Sequence, residues 1–166
     1  MDSPLAQARV ARYTLSRGAG RGISPPGPLP IPRREVNMRV LVCGDRRYQD
    51  RAAVYRELDA LYGMGDEVVV IEGGAMGADR FASDWCERYE GEPESWVITH
   101  IRFAAEWDRY GRAAGPRRNQ QMLDEGHPDL VLAFHDNLNT QSRGTKDMVS
   151  RARKAGIPVR VIEKPK

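Results

Sequence analysis

The stretch EVVVIEGGAMGAD, residues 67–79, decides the fold class of this chain. Its first half, Glu67–Glu72, is a β-branched apolar run of strand length, and three glycines within the next five positions end it. From Ala78 to Tyr89, apolar residues then recur at i, i+3, i+4, i+7, i+8 and i+11, which is the spacing of one helix face. A buried strand, a glycine-rich turn and an amphipathic helix are the opening parts of a βαβ unit.

The same alternation of strand and helix extends along the chain in both directions. Apolar runs predict strands at Arg39–Cys43, Trp96–Ile101, Leu130–His135 and Val159–Ile162, and apolar faces predict helices at Asp50–Tyr62, Gly111–Glu125 and Thr145–Ala155. Apolar strands joined by helices form right-handed crossovers in a parallel sheet that is covered on both faces. We therefore predict an α/β fold for residues 38–166: a Rossmann-like three-layer αβα sandwich with a five-stranded parallel sheet.

Residues 1–37 have a different composition. They hold six arginines, no lysine, two acids and six of the eleven prolines, with no sustained apolar period. We predict a disordered Arg/Pro/Gly-rich leader, because such a segment cannot bury enough surface to offset its ordering entropy. The alternative is a basic arm for nucleic acid or an anionic surface. The rest of the chain carries 20 bases and 21 acids, so nucleic acid is not an expected partner of the folded domain.

Several other classes of protein are excluded by what the chain lacks. It has neither a run of about 18 apolar residues nor the apolar core of a secretory signal, so we expect a cytoplasmic protein with no membrane partner. Cys43 and Cys86 lie far apart, and the three histidines show no paired spacing. We therefore predict no metal site. The chain also lacks a P-loop motif, so we predict no particular cofactor.

Two segments that directly follow predicted strands have the composition of ligand-binding turns. In Cys43–Arg47, Gly44 lets the backbone approach a ligand and Arg46 can grip a phosphate, although glycine is common at such turns. In Gly73–Asp79, backbone N–H groups at a helix N-terminus can bind an anion, and the alternative is a tight turn alone.

Two further segments lie at predicted helix starts. In Gly115–Asn119, Arg118 would offer a charged fork and Asn119 an amide, and the alternative is a solvated basic turn. In Ser142–Lys146, the hydroxyl groups either cap the helix or donate to a phosphate. Each signal alone is modest. All four segments are expected at the same end of the sheet, however, where open α/β folds bind ligands.

Taken in order, the segments CGDR, EGGAMGAD, GRAAGPRRN and SRGTKDM resemble the YspA, cpYpsA-related SLOG family of bacteria and their phages. The resemblance covers about residues 38–161 and places the chain near the SMF/DprA and LOG proteins. It implies a Rossmann-like fold and binding of nucleotides or of NAD- and ADP-ribose-related molecules, as a sensor or ligand-binding module. LOG relatives commonly dimerise, so the resemblance also implies a homo-oligomer.

LOG proteins hydrolyse the N-glycosidic bond of cytokinin nucleotides and carry the motif PGGxGTxxE. Gly144 and Thr145 match its GT, and Arg118 resembles the upstream arginine of that family. Met148 falls on the glutamate position, and methionine cannot accept a proton, so LOG-type hydrolysis is disfavoured.

Three classes of function stay open at this point. The leading one is binding of a nucleotide-derived ligand. Its rival is an N-glycosidic or phosphoribosyl hydrolase that uses Asp45, Asp79 or Asp147, and DNA binding by analogy to DprA is the third. The predicted ligand-binding residues are Gly44, Asp45, Arg46, Gly73, Gly74, Gly77, Asp79, Arg118, Asn119, Gly144 and Thr145.

Overall fold

The computed structural model describes residues 37–63, 67–89, 97–135 and 142–163. The strands are β1 (Asn37–Gly44), β2 (Glu67–Glu72), β3 (Val97–Arg102), β4 (Leu130–His135) and β5 (Val159–Glu163). The helices are α1 (Arg51–Tyr62), α2 (Ala78–Arg88), α3 (Trp107–Tyr110), α4 (Ala114–Asp124) and α5 (Arg143–Lys154), with a 3₁₀ turn at Gly111–Ala113. The predicted leader, apart from residue 37, and Trp96 of the third predicted strand lie outside the described residues.

The five strands form one parallel sheet in the order β3-β2-β1-β4-β5. Leu41 of β1 pairs with Ile71 of β2 on one side and with Val131 of β4 on the other. Strands β2 and β3 lie in succession on one side of β1. The chain then returns to the other side of β1, where β4 and β5 lie. The strand order therefore switches between β1 and β4, and ligands of open α/β sheets bind beyond the carboxyl ends of the strands at such a switch.

The two faces of the sheet are covered by different helices, and the alternation of side chains along β1 separates them. Val40 and Val42 pack with residues of α1 and α2, whereas Leu41 and Cys43 pack with residues of α4 and α5. Because both faces are buried, β1 is apolar at every position from Val40 to Cys43 rather than at alternate ones. The predicted α/β sandwich with a five-stranded parallel sheet is confirmed.

Two helix starts differ from the prediction. The predicted helix at Gly111–Glu125 begins three residues later, at Ala114, because a 3₁₀ turn occupies Gly111–Ala113. Helix α5 begins at Arg143, two residues earlier than predicted, because the Ser142 side chain accepts a hydrogen bond from the Thr145 N–H and caps the helix there. Within the described residues, no helix is long and apolar enough to cross a membrane.

Candidate functional site

The carboxyl ends of the strands define one edge of the sheet, here called the strand-end edge. At the switch point on this edge, Asp45 directly follows β1. Its Oδ1 accepts a 2.8 Å hydrogen bond from the Arg47 N–H, and its Oδ2 lies 3.7 Å from Nε2 of His135. His135 is the buried last residue of β4 and was not among the predicted site residues. The signal for it was a polar residue at the end of an otherwise apolar strand.

Gly44 and Gly77 allow the turns after β1 and β2 to pack closely. A Cβ at Gly44 would lie 2.6 Å from Cβ of Ala78 and 2.6 Å from the carbonyl oxygen of Phe134. Gly77 has φ +79°, and a Cβ there would overlap the carbonyl oxygen of Asp45. These two glycines are therefore explained by contact between neighbouring turns, and their contact with a ligand remains a prediction.

Three backbone N–H groups of the glycine loop, Gly73–Gly77, donate to carboxylates of the protein itself. Oδ2 of Asp79 accepts from the N–H groups of Gly73 at 3.0 Å and Ala75 at 3.4 Å. The N–H of Gly74 donates to Oε2 of Glu72. Successive backbone N–H groups in a turn form an anion-binding concavity. In this protein the anions that occupy it are two of its own side chains.

Glu72 ends β2 and lies at the centre of a polar cluster that was missed from the sequence. Its side chain is fully buried, and it accepts hydrogen bonds from Arg102 Nε at 2.5 Å and His100 Nε2 at 3.1 Å. Arg102 also donates to the hydroxyl of Ser83 at 2.8 Å. Burial raises the pKa of Glu72, but the hydrogen bonds from His100, Arg102 and the Gly74 N–H outweigh it and hold the pKa below its ordinary value.

The amino-acid sequence provided only a weak indication of this polar cluster. A glutamate ends the apolar strand β2, and His100 and Arg102 stand two residues apart on β3, hence on one face of that strand. The parallel register places Glu72 directly opposite Arg102. That pairing depends on the strand order, which no local pattern reports.

Asp79 stabilises the glycine loop rather than offering a free carboxylate. It is 3% exposed at the start of α2. Burial, together with repulsion from Glu72, raises its pKa to about 6, although Arg118 and the N–H donors of the loop act in the opposite direction.

Arg118 connects the first turns of α4 to the glycine loop. Its Nη1 donates to the carbonyl oxygen of Gly73, and a Cβ at Gly73 would overlap its guanidinium. Its Nε is buried and has no hydrogen-bond partner among the described residues. A side chain at Gly73 would therefore displace the guanidinium of Arg118, and the contact of Arg118 with a ligand remains a prediction.

Asn119 and Thr145 join α4 to the start of α5. The amide of Asn119 donates to the carbonyl oxygen of Gly144 at 3.1 Å and to Oδ2 of Asp147 at 3.0 Å. Asp147 also accepts from Arg151 Nε at 2.8 Å, and the Thr145 hydroxyl lies 2.6 Å from that of Ser142. These polar groups already have partners within the protein, so their contact with a ligand remains a prediction.

The last two positions are Gly144, which is exposed, and Met148, which is buried. Gly144 is exposed in the first turn of α5, and no described atom lies within 4 Å of the position that its Cβ would take. Met148, at the position of the LOG glutamate, is buried in the core between the sheet and helices α4 and α5. A glutamate at this position would face that core.

The cysteines and histidines form no metal-binding group in the described part of the chain. No cluster of three or more His, Cys, Asp or Glu residues there can hold an ion. Cys43 and Cys86 are free and buried, and burial raises the pKa of the Cys86 thiol to about 12. Cys86 packs in the core on one face of the sheet, and Cys43 packs in the core on the other face. Both act as small apolar side chains.

Comparison with known proteins gives two matches. The model of the YspA, cpYpsA-related SLOG family matches residues 38–110, from β1 through α3, which include the turns after β1 and β2. The Gene 61 protein of Mycobacterium phage D29 is 38% identical over 122 residues, covering 73% of this chain and 93% of that protein. No solved structure matches the chain significantly.

Proposed function

The chain belongs to the YspA, cpYpsA-related SLOG family, and from that premise we propose that it binds a phosphate-bearing nucleotide or nucleotide-derived molecule at the strand-end edge. NAD and ADP-ribose are examples of the second kind. In this proposal the protein acts as a sensor or ligand-binding module, with the ligand located at the switch between β1 and β4.

The main support for this proposal is the hydrogen bonding of the Arg118 side chain. Its guanidinium lies at the strand-end edge and donates to the neutral carbonyl of Gly73, and its buried Nε has no acceptor among the described residues. A buried donor without an acceptor costs about 1–3 kcal/mol. A phosphate oxygen would supply the missing acceptor once the guanidinium rotates toward it, and arginine binds phosphate with two parallel hydrogen bonds.

In the described part of this edge, the first turn of α5 is open to a phosphate. Gly144 leaves the backbone open there, and the positive end of the helix dipole favours an anion. In the glycine loop, by contrast, the N–H groups of Gly73 and Gly74 already donate to Asp79 and Glu72. We therefore assign the phosphate to α5, and the glycine loop to the wall of the site.

Replacing Arg118 with alanine should weaken the binding of AMP, NAD or ADP-ribose about tenfold to a hundredfold. The reason is the loss of charged hydrogen bonds worth about 1.5–3 kcal/mol, and each 1.4 kcal/mol is a factor of ten in affinity. Lysine should restore only part of the affinity, because it keeps the charge without the two-pronged geometry. Isothermal titration calorimetry of the three proteins with the three ligands measures the effect.

The adjacent residue provides a matched control. Arg117 is exposed, and its Cζ lies 4.2 Å from the centroid of the Tyr110 ring. Arg117→Ala removes the same charge from the same helix turn, and we expect less than a threefold change in affinity. Equal losses for the two variants would show a general charge effect instead of a contact, and no binding by the wild type would refute the proposed function.

Hydrolysis of an N-glycosidic bond is the second candidate function, and the position of Asp45 is what favours it. Asp45 lies at the switch point beside His135, with 13% of its side chain exposed. The other two carboxylates are less suited, since Asp79 is held by the glycine loop and Asp147 by Asn119 and Arg151. If the protein is a hydrolase, Asp45 is its carboxylate.

We expect no turnover in the common enzyme range of roughly 1–10³ per second on AMP or NAD. Asp45 already accepts from the Arg47 N–H and lies beside the His135 ring, and Met148 provides no substitute carboxylate. Chromatography for released adenine or nicotinamide tests this. Turnover in that range that is lost in Asp45→Asn and kept in Asp147→Asn would establish the hydrolase and overturn the binding-module proposal.

A further inference from the structure

Large apolar side chains are exposed at three described positions, and two of them belong to the strand-end edge. Met76 is 68% exposed in the glycine loop, and Trp107 is 49% exposed at the start of α3, shortly after the end of β3. Val97, 47% exposed, lies at the other end of β3. Apolar surface is thus left open to water on the same edge as Arg118 and the open turn of α5.

Trp107 lies close to two segments of the proposed site. The Cζ atom of Arg46, in the turn after β1, lies 5.7 Å from the centroid of the indole ring. On the α4 side, Cη2 of the ring lies 3.4 Å from the position that a Cβ of Gly115 would take. The ring therefore lies between the turn after β1 and the first turn of α4, close to both.

An indole ring in this setting has the properties of a base-binding platform. Nucleobases stack on exposed aromatic rings and on arginine guanidinium planes, and such stacking is worth a measurable part of nucleotide affinity. The guanidinium of Arg46, already close to the ring, can also donate hydrogen bonds to ribose or phosphate oxygens of the same ligand. Stacking depends on the planar face of the base, which a bare sugar phosphate lacks.

We propose that Trp107 is the surface on which the planar base of the ligand stacks, so that the site takes base-bearing nucleotides in preference to sugar phosphates. This inference rests on the proposed function and adds the residue that selects the ligand class. Arg46 lies close to the indole ring and faces the polar part of the same ligand. The phosphate lies toward Arg118 and α5, and the base toward α3.

The test compares AMP with ribose 5-phosphate, which has the same sugar phosphate without the base. Wild-type protein should bind AMP at least tenfold more tightly than ribose 5-phosphate. Trp107→Ala should lower AMP affinity about fivefold to a hundredfold, the range for one stacked base, and change ribose 5-phosphate affinity less than twofold. Trp107→Phe should keep most of the AMP affinity, since phenylalanine also stacks.

Val97→Ala is the matched control, because it removes a comparably exposed apolar side chain from the opposite edge of the sheet. It should leave both affinities unchanged. Tryptophan fluorescence gives an independent readout: AMP should quench it in the wild type, and this quenching should be absent in Trp107→Phe.

The possible outcomes separate the two proposals. If the wild type binds AMP but Trp107→Ala lowers both affinities equally, or neither, the stacking inference is wrong and the proposed function stands. If the wild type binds ribose 5-phosphate as tightly as AMP, stacking is likewise refuted. If the wild type binds none of AMP, NAD and ADP-ribose, the proposed function fails and the stacking inference fails with it.

Discussion

Replacing Asp79 with alanine should lower the free energy of unfolding by about 2–4 kcal/mol, whereas asparagine should lower it by less than about 1 kcal/mol. Alanine leaves the N–H groups of Gly73 and Ala75 without an acceptor, and each buried unsatisfied donor costs about 1–3 kcal/mol. Asparagine keeps one side-chain oxygen, and a single oxygen of Asp79 accepts both bonds in the structure. Urea denaturation of the wild type and the two variants measures the difference.

The pH dependence of stability gives the same pair of variants a second readout. The pKa of Asp79 is raised from 3.8 to about 6, so the folded protein holds this proton more tightly than the unfolded chain does. The Asp79 contribution therefore becomes more favourable as the pH falls from about 6 to about 4. Asp79→Asn should lose that part of the pH dependence. The contribution of Glu72, whose pKa is lowered, has the opposite sign and is lost at lower pH, as that carboxylate becomes protonated.

Asp84 on the same helix provides the control for both measurements. It forms a surface ion pair with Arg80 at 2.8 Å, and such pairs contribute about 0–1 kcal/mol. Asp84→Ala should therefore have little effect. If Asp79→Asn destabilises the protein as much as Asp79→Ala, the carboxylate charge rather than the acceptor stabilises the loop, and our account of Asp79 is wrong.

Replacing Gly77 with alanine should have the largest effect among the described glycines, a loss of about 3 kcal/mol or more in unfolding free energy. The backbone of Gly77 has φ +79° and ψ −127°, a region that is essentially restricted to glycine, and forcing another residue into it costs about 1–3 kcal/mol. In addition, the new Cβ would overlap the Asp45 carbonyl oxygen, which is rigid backbone. Thermal and urea unfolding measure the loss.

Gly144→Ala is the contrasting variant. Gly144 lies in the first turn of α5 with nothing within 4 Å of the new methyl group, and alanine favours a helix over glycine by up to about 1 kcal/mol. Stability should stay the same or rise, while phosphate binding should weaken if the first turn of α5 holds the phosphate. Similar destabilisation by the two substitutions would contradict the close packing described for Gly77.

The sequence by itself determined the fold class and indicated the edge of the sheet at which we propose the site. Continuous apolar runs, such as Val40–Cys43, report strands buried on both faces, and helix-period patterns between them require parallel crossovers. Both signals are local, because periodicity and burial are properties of one element at a time. Gly44 at the end of β1 and the glycine cluster after β2 likewise identified the turns where backbone segments come close together.

Only the tertiary structure decided which polar groups are free. Asp79 and Glu72 occupy three N–H groups of the glycine loop, where phosphate binding was expected, and Arg118 reaches Gly73 across 45 positions of sequence. The pairing of Glu72 with Arg102 and the contact of Trp107 with Arg46 also follow from strand order and helix packing. A hydrogen bond needs its two partners within about 3 Å. That proximity is set by the global arrangement of the chain, so no local pattern distinguishes a donor that awaits a ligand from one already satisfied.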